Sequence, residues 1–158
     1  MTLELVPFRP EHAQAFYTLN RVWLDEHELF EPADEAQLAN PQAEIIDAGG
    51  AILIALDDGV VVGTAAVVPH GPNEMELAKL TVAESIRGAG IGRRLAESCV
   101  ALARARGTRR LVLVSSSRLG TALRLYESMG FERHPLPPDL PYATADVYMV
   151  MRLAETGR

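Results

Sequence analysis

The feature that most constrains the fold of this chain is a glycine-rich turn placed between a strand pattern and a helix pattern. Alternating apolar residues from Glu74 to Val82 predict the strand. An apolar stripe at helical spacing predicts the helix, and it is carried by Ile91, Leu95, Cys99 and Leu102. The turn between them reads R-G-A-G-I-G from Arg87 to Gly92. We therefore expect main-chain N–H groups to be exposed where this helix begins.

Exposed N–H groups at the positive end of a helix form a binding site for phosphate or pyrophosphate. The three glycines of the turn leave these groups uncovered by side chains. Three arginines add positive charge nearby, namely Arg87, Arg93 and Arg94. The alternative is a turn whose glycines have no binding role. Glycines and arginines together favour an anion site.

The pattern does not fit the common nucleotide-binding loops. A Walker loop needs a lysine directly after its glycines, and none follows here. A dinucleotide-binding motif needs its glycines immediately after the strand and an acidic residue about 20 residues later. Here a five-residue connector intervenes, and the downstream segment reads L-V-L-V-S-S-S. Neither ATP nor NAD is supported as the anion.

The remaining patterns predict an α+β (mixed α/β) fold. Two apolar runs, 51–56 and 60–68, flank Asp58-Gly59, which is a strong hairpin signal. Strands mostly precede the midpoint, and strands alternate with helices after it. The other strands are expected over 3–8, 74–82, 110–115, 131–133 and 143–153, and helices over 10–29, from Pro32 to before Pro41, over 91–106 and over 119–129. A length of 158 residues suits one domain.

Charge is distributed unevenly along the chain. The net charge of −6 argues against a nucleic-acid-binding protein. Val22 to Ala78 contains twelve acidic residues and no Lys or Arg, whereas Lys79 to Arg133 contains eleven basic and four acidic residues. One interpretation is that the later segment binds a polyanion and the earlier one a cation. The alternative is that these charges belong to solvated helix faces.

Cysteine usage and the N-terminal pattern narrow the class of protein. Cys99 is the single cysteine, which excludes a disulfide framework, and the four histidines show no ligand spacing, so we expect no metal. Neither a secretory signal nor a run long enough to span a membrane is visible. We expect a cytoplasmic protein without nucleic-acid or membrane partners, and leave a homodimer open.

Two motifs in register are similar to those of the GNAT superfamily of acetyl-CoA-dependent N-acetyltransferases. The family's donor-site motif, [Q/R]-x-x-G-x-[G/A], is matched by Arg87, Gly90 and Gly92. Ala122 to Phe131 (A-L-R-L-Y-E-S-M-G-F) resembles the family's A-x-x-L-Y-x-x-x-G-F segment, one helix and one strand later. The resemblance implies one GNAT domain over 1–158. Its fold would be a central mixed, mostly antiparallel sheet, splayed between the fourth and fifth strands and flanked by about four helices.

The resemblance also implies acetyl-CoA as cosubstrate. Its pyrophosphate would lie on the main chain of seven residues, namely Arg87, Gly88, Ala89, Gly90, Ile91, Gly92 and Arg93. The pantetheine arm would pair with Leu80, Thr81 and Val82, and the Leu80 N–H would polarise the thioester carbonyl. Many relatives carry Asn where this chain reads Ser115–Ser117. A hydroxyl is shorter and has fewer donors, and we expect the cofactor contact there at Ser116.

Two residues are expected to move protons during acetyl transfer. Glu76 matches the position of a catalytic glutamate in several family members, and it would take a proton from the attacking amine. Regular alternation would place Glu76, Leu80 and Val82 on one face of the strand. The alternative is a solvent-facing Glu76, with the proton leaving through water. Tyr126 matches the tyrosine that protonates the departing thiolate, and a core aromatic is the alternative.

The acceptor is expected to be the amine of a small cationic compound, attacking directly in a ternary complex. Six of the eleven residues from Asp25 to Glu35 are acidic, and Glu31 and Asp34 are the candidate ligands for an ammonium group. Tyr142 is expected to line the acceptor site. A protein or peptide N-terminal acetyltransferase, and a CoA-binding sensor without catalysis, are the alternative functions.

Overall fold

The computed structural model describes residues 2–153, which form seven strands and four α-helices. In chain order these are β1 (Leu3–Pro7), α1 (Ala13–Glu26), α2 (Pro32–Ala39), β2 (Ala51–Asp57), β3 (Val60–Gly71), β4 (Glu74–Val82), α3 (Ile91–Ala105), β5 (Arg110–Ser115), α4 (Gly120–Met129), β6 (Glu132–His134) and β7 (Val147–Arg152). A π-helical turn, Gln42–Ile46, follows α2, and two short 3₁₀ turns precede α1 and α3. The predicted order of elements is confirmed.

Several element boundaries differ from the prediction; β3, for example, extends to Gly71 instead of residue 68. Helix α1 ends at Glu26 instead of near Leu29, because Glu28 adopts a left-handed φ of 54° and the Leu29 N–H bonds to the Leu24 carbonyl. Strand β7 begins at Val147 and not at residue 143. The segment before it instead bonds to other parts of the chain, as described below.

The seven strands form a single sheet in the order β1-β2-β3-β4-β5-β7-β6. Every neighbouring pair is antiparallel except β4 and β5, which are parallel. Helices α3 and α4 contribute to the larger apolar core on one face, whereas α1 and α2 contribute to the smaller core on the other. The predicted mixed, mostly antiparallel sheet is confirmed. Within residues 2–153 no helix combines the length and hydropathy needed to cross a bilayer.

Strands β4 and β5 pair over only part of their length. Their parallel register starts at Glu74 opposite Arg110 and ends at Glu76 opposite Val112. Strand β4 continues from there to Val82, and β5 continues to Ser115. Beyond the last pair the two strands diverge, so that main-chain groups which would bond across a regular sheet border an opening. This is the predicted splay.

A β-bulge interrupts β4 next to this opening. Between the rungs that join Ala66 to Ala78 and Thr64 to Thr81, β4 has two residues where β3 has one. Lys79 lies in this bulge and has a left-handed φ of 54°.

The bulge corrects the expected alternation of side chains along β4. Leu80 and Val82 pack against the core cluster that contains Leu77, so they lie on the face opposite to the one predicted. The physical reason is the extra residue, because a shift of one position moves every later side chain to the other face of a strand. Glu76, which precedes the bulge, therefore does not share a face with Leu80.

Candidate active site

The opening between β4 and β5 is the mouth of a cavity of about 520 Å³. Residues of α1, α2, β4, β5, α4 and the loop before β7 line it. Of the predicted site residues, the cavity brings together Glu76, Leu80, Thr81, Val82, Arg87, Ser116, Tyr126, Asp34 and Tyr142. Glu31 is not part of this lining, and neither are residues 88–93, which comprise the exposed turn at 88–90 and the first three residues of α3.

The glycine turn presents free main-chain donors, as the sequence predicts. The N–H groups of residues 88–93 have no acceptor within the described chain, and the first bond of the helix runs from the Arg94 N–H to the Gly90 carbonyl. Gly88 and Gly90 have left-handed φ angles of 89° and 81°. A Cβ added at either glycine would meet no atom within 4 Å. Consecutive free N–H groups facing open space at a helix start fit a diphosphate.

Arginines surround this turn, but they differ in their availability. Arg93 donates a hydrogen bond of 2.7 Å to Ser128 Oγ, which ties α3 to α4. Arg87 lines the cavity while its Nε donates to the Val82 carbonyl at 3.2 Å. Arg118 also lines the cavity, from the turn before α4. Arg87 and Arg118 therefore add positive charge to the cavity wall.

The carboxylate of Glu76 lines the cavity at the point where the strands part. It forms no hydrogen bond or ion pair with any side chain or main-chain group of residues 2–153. Burial raises the pKa of the Glu76 carboxyl above its ordinary value. The charges of His70 and Lys79 act in the opposite direction, and Asp34 raises the pKa further. Such a carboxyl is a stronger base than one exposed to water.

Tyr126 is buried on α4, with its ring packed edge-on against Phe131 at a centroid distance of 5.8 Å. It nevertheless lines the cavity, and its hydroxyl has no partner among residues 2–153. Burial raises the pKa of Tyr126 to about 12, and the neighbouring Cys99 contributes in the same direction. The phenol therefore remains protonated at neutral pH and is available as a donor.

Ser116 occupies the start of the turn between β5 and α4. Its Oγ accepts a hydrogen bond of 3.2 Å from the Arg118 N–H, which leaves the hydroxyl hydrogen available to the cavity. The next residue, Ser117, is held differently, since its N–H and its hydroxyl both donate to the Asp146 carboxylate, at 2.7 and 2.6 Å. These contacts stabilise the turn, and they are part of the reason that residue 146 is not in a strand.

Asp34 and Lys79 form a buried ion pair in the cavity wall. The Lys79 ammonium donates to Asp34 Oδ1 at 2.5 Å, and the two side chains are only 6% and 5% exposed. The other oxygen of Asp34 accepts the Glu31 N–H at 2.9 Å and so caps α2. The charge of Asp34 is therefore balanced by Lys79. Both of its oxygens already accept hydrogen bonds from the protein, which disfavours a direct contact with a cationic acceptor.

Glu31 holds the loop that precedes β7. Its carboxylate accepts hydrogen bonds from the N–H of Ala143 at 2.8 Å and from the N–H and hydroxyl of Thr144 at 3.1 and 2.5 Å. Burial alone would raise the pKa of Glu31, but these hydrogen bonds outweigh it and lower the pKa. Tyr142, next in the loop, lines the cavity with its ring centroid 5.8 Å from the Lys79 ammonium. Glu31 thus contacts this loop and not the cavity.

Of the other four acidic side chains in the segment from Asp25 to Glu35, three form ion pairs, and the fourth, Glu28, is exposed. Asp25 and Glu35 contact Arg21 at 3.0 and 3.6 Å, and Glu26 lies 3.8 Å from Arg87. The expected acidic rim is therefore largely engaged in internal ion pairs. This leaves Glu76 as the carboxylate of the cavity wall that lacks a partner within residues 2–153.

The residues of the cavity wall that the sequence did not assign to the site include Asn20, Lys79 and Arg118. Asn20 donates to Thr64 Oγ1 at 3.1 Å and links α1 to β3, a long-range contact with no local signal. The sequence did contain one indication that Lys79 is unusual, because it is the single lysine among fifteen basic residues. Among the described residues, no group of three or more His, Cys, Asp or Glu side chains is arranged to hold a metal ion.

Comparison with known proteins agrees with this geometry. The family model described as "Acetyltransferase (GNAT) family" matches residues 11–131. N-acetyltransferase family 8 member 2 of Rattus norvegicus is 32% identical over 104 residues, which cover 63% of this chain and 46% of the relative. The chain thus spans less than half of that relative's length.

Two solved structures share the fold at low sequence identity. An acetyltransferase of the GNAT family from Staphylococcus aureus superposes with a TM-score of 0.86 at 17% identity, covering 97% of this chain and 100% of the other. The PaiA N-acetyltransferase from Thermoplasma acidophilum, solved in complex with coenzyme A, superposes with a TM-score of 0.76 at 14% identity and the same coverage.

Proposed function

Because this chain belongs to the GNAT acetyltransferase family, we propose that it transfers the acetyl group of acetyl-CoA to a primary amine by direct attack in a ternary complex. One observation carries the proposal. Glu76 and Tyr126 line the same cavity, and neither side chain has a hydrogen-bond partner within residues 2–153. Buried polar groups are normally satisfied by the protein, so two unpartnered groups in one cavity are expected to serve a bound substrate.

The residues present fit coenzyme A. The free N–H groups of residues 88–93 would hold the pyrophosphate, with Arg87 and Arg118 adding positive charge. The unpaired edge of β4 at residues 80–82 would bond to the amide groups of the pantetheine arm as an added strand. When bound, acetyl-CoA supplies an activated acetyl thioester. The Leu80 N–H, in the bulge beside Lys79, is proposed to donate to the thioester carbonyl oxygen.

Glu76 is proposed to accept the proton of the incoming amine. An alkylamine has a pKa near that of lysine, about 10.4, so it arrives mainly as an ammonium and must lose a proton before it attacks. The raised pKa of Glu76 makes its carboxylate a better base, provided that the pH is high enough to keep it ionised. Its position beside the last rung between β4 and β5 places it where the strands first allow a substrate to enter.

Tyr126 is proposed to donate its hydroxyl proton to the thiolate that leaves. The phenol is protonated throughout the neutral range because its pKa is about 12. Tyr126 and Ser116 both line the cavity, and α4 follows the turn that contains Ser116. Glu76 and Tyr126 would thus act at opposite ends of the reacting bond system, one as base and the other as acid.

The acceptor is proposed to bind as an ammonium group against Glu76. The two carboxylates of the wall differ, because Asp34 is paired with the Lys79 ammonium and Glu76 has no hydrogen-bond partner within residues 2–153. An acceptor cation would serve as the counterion of the Glu76 carboxylate. The contacts described above favour indirect roles for Glu31 and Asp34, with Glu31 holding the Tyr142 loop and Asp34 positioning Lys79.

The proposal is tested by following free thiol release from acetyl-CoA with a panel of small amines and N-terminal peptides. Turnover with small amines supports the proposal, and turnover confined to peptides would identify an N-terminal acetyltransferase. Coenzyme A binding without turnover on any acceptor would contradict catalysis and favour a sensor. The double variant with Glu76→Gln and Tyr126→Phe serves as the inactive control, because it keeps the size of both side chains while removing both proton-transfer groups.

A further inference from the structure

The single lysine of this protein lies in the wall of the proposed acetyl-transfer cavity. All the other basic residues outside histidine are arginines, fourteen in number. The Lys79 side chain is 6% exposed and lies in the β4 bulge, with a left-handed φ of 54° that a residue other than glycine rarely adopts. A buried ammonium on a strained main chain needs specific compensation from its surroundings.

The protein satisfies only part of the hydrogen-bonding capacity of the Lys79 ammonium. Its ammonium has three N–H donors and bonds to one acceptor among residues 2–153, Asp34 Oδ1. The second oxygen of Asp34 is committed to the Glu31 N–H. The Tyr142 ring, 5.8 Å from Lys79 Nζ, offers a π face and no lone-pair acceptor at that distance. Two N–H donors of a nearly buried ammonium therefore border the cavity without a protein acceptor.

Glu76 supplies the complementary charge in the same cavity. It lies three positions before Lys79 on β4 and also lines the cavity, and its carboxylate forms no hydrogen bond within the described chain. The two residues interact electrostatically, with Lys79 favouring the ionised form of Glu76. One wall thus presents an unpartnered carboxylate and an ammonium with unused donors. A ligand with an ammonium group and an oxyanion a few bonds apart would satisfy both.

We infer that the acceptor is a zwitterionic amine of the amino-acid class, whose carboxylate is bound by Lys79 while its amine faces Glu76. This inference rests on the proposed function and narrows its substrate. Lys79 is then a specificity-determining residue, and Asp34 is a positioning residue that holds the lysine side chain in the wall. An acceptor without an oxyanion would leave two N–H donors of Lys79 without a hydrogen-bond acceptor. Such an acceptor would therefore bind more weakly.

The test compares matched acceptors that differ in the carboxylate. Leucine is paired with 3-methylbutylamine, phenylalanine with phenethylamine and arginine with agmatine. The methyl ester of each amino acid is a third member that keeps the carbon skeleton and removes the negative charge. Rates are compared at equal concentrations of unprotonated amine, because the members of each set differ in amine pKa. We expect kcat/KM for at least one amino acid to exceed that of its amine and of its ester by tenfold or more, mainly through KM.

Two variants connect this preference to the lysine. Lys79→Met removes the charge but keeps an unbranched side chain of similar length, and it should reduce the preference to threefold or less. Lys79→Arg keeps the charge and should retain more of the preference than Lys79→Met. Coenzyme A affinity, measured by calorimetry, reports whether each variant keeps the cofactor half of the site. If Lys79→Met fails to bind coenzyme A, the comparison of acid, ester and amine in the wild-type protein decides whether the acceptor needs a carboxylate.

The outcomes separate this inference from the proposed function. Turnover of the amines or esters at rates equal to or above those of the amino acids would overturn the inference and leave acetyl transfer standing. An unchanged preference in a Lys79→Met variant that binds coenzyme A would also overturn it, because the ion pair would then be only a link between β4 and α2. A lack of turnover with every acceptor, peptides included, would overturn the proposed function itself.

Discussion

Glu76 and Val112 form the last rung between β4 and β5, and the cavity begins directly beyond them. The proposed base is therefore fixed by a paired main chain on one side and faces open space on the other. A base held in this way keeps its position without a side-chain partner that would compete with the substrate for its oxygens.

The Glu76→Gln variant should lose about 10²- to 10⁴-fold in kcat, which is the usual contribution of a general base. Activity requires the ionised carboxylate, and burial raises its pKa above the ordinary 4.5. The wild-type rate should therefore fall as the pH drops through this raised value, giving an acid limb above pH 4.5. Pre-steady-state acetyl transfer measured from pH 5 to pH 9 should show the limb in the wild type and not in the variant. An identical profile in both proteins would assign the proton to water.

The Tyr126→Phe variant should reduce kcat by about 10²-fold, the lower range for loss of a general acid. The apparent affinity for acetyl-CoA should change little, because the ring and its packing against Phe131 remain. Tyr148→Phe is the matched control, since Tyr148 is also buried but does not line the cavity. Equal rates in the two variants would show that Tyr126 is a core residue without a catalytic role.

The Gly90→Ala variant should weaken coenzyme A binding by about tenfold, or ~1.4 kcal/mol. The methyl group would enter the open space beside the free N–H groups, and a left-handed φ of 81° costs alanine about 1–2 kcal/mol. Gly59→Ala is the control, because Gly59 has a φ of 83°, faces equally open space and lies in the β2–β3 hairpin. Calorimetric titration of coenzyme A into both variants separates the effect of main-chain strain from the loss of a cofactor contact. An equal loss of affinity in the two would remove the glycine turn from the cofactor site.

Glu31→Gln should loosen the loop that carries Tyr142. The pKa of Glu31 is lowered in the folded chain, so its stabilising effect is complete above the ordinary value of 4.5 and is lost as the pH falls through the lowered value. Amide hydrogen exchange at Ala143 and Thr144 should be faster in the variant, whereas Glu28→Gln, at an exposed position, should leave it unchanged. Protection of these amides that is the same in all three proteins would contradict the proposed role of the Glu31 contacts.

Local sequence patterns predicted most of the fold, because most of its turns and helices depend on residues that are close together in the chain. The Asp58-Gly59 hairpin, the α3 stripe and the glycine turn each follow from turn geometry or helical spacing. The bulge at Lys79 could not be predicted, since it depends on the register between β3 and β4. A strand pattern that ignores the bulge places Leu80 on the wrong face.

The acceptor side of the site was less predictable for a related reason. The acidic composition of residues 25–35 suggested a rim for cations, but composition does not give partners. Asp34 pairs with Lys79, which is 45 positions away in the chain, and Glu31 bonds to Thr144, 113 positions away. Such contacts arise only when the sheet brings distant segments together, and they changed the interpretation of both carboxylates.

Acetyl-CoA labelled with carbon-13 in the acetyl group shows whether this protein transfers the acetyl group to an amine. Mass spectrometry of the acceptor and a thiol assay are carried out on the same reaction. We expect labelled N-acetyl product and free coenzyme A in equal amounts, and we expect the Glu76→Gln, Tyr126→Phe double variant to form neither. Free thiol without labelled amide, or the same yield from the double variant, would contradict the proposed function.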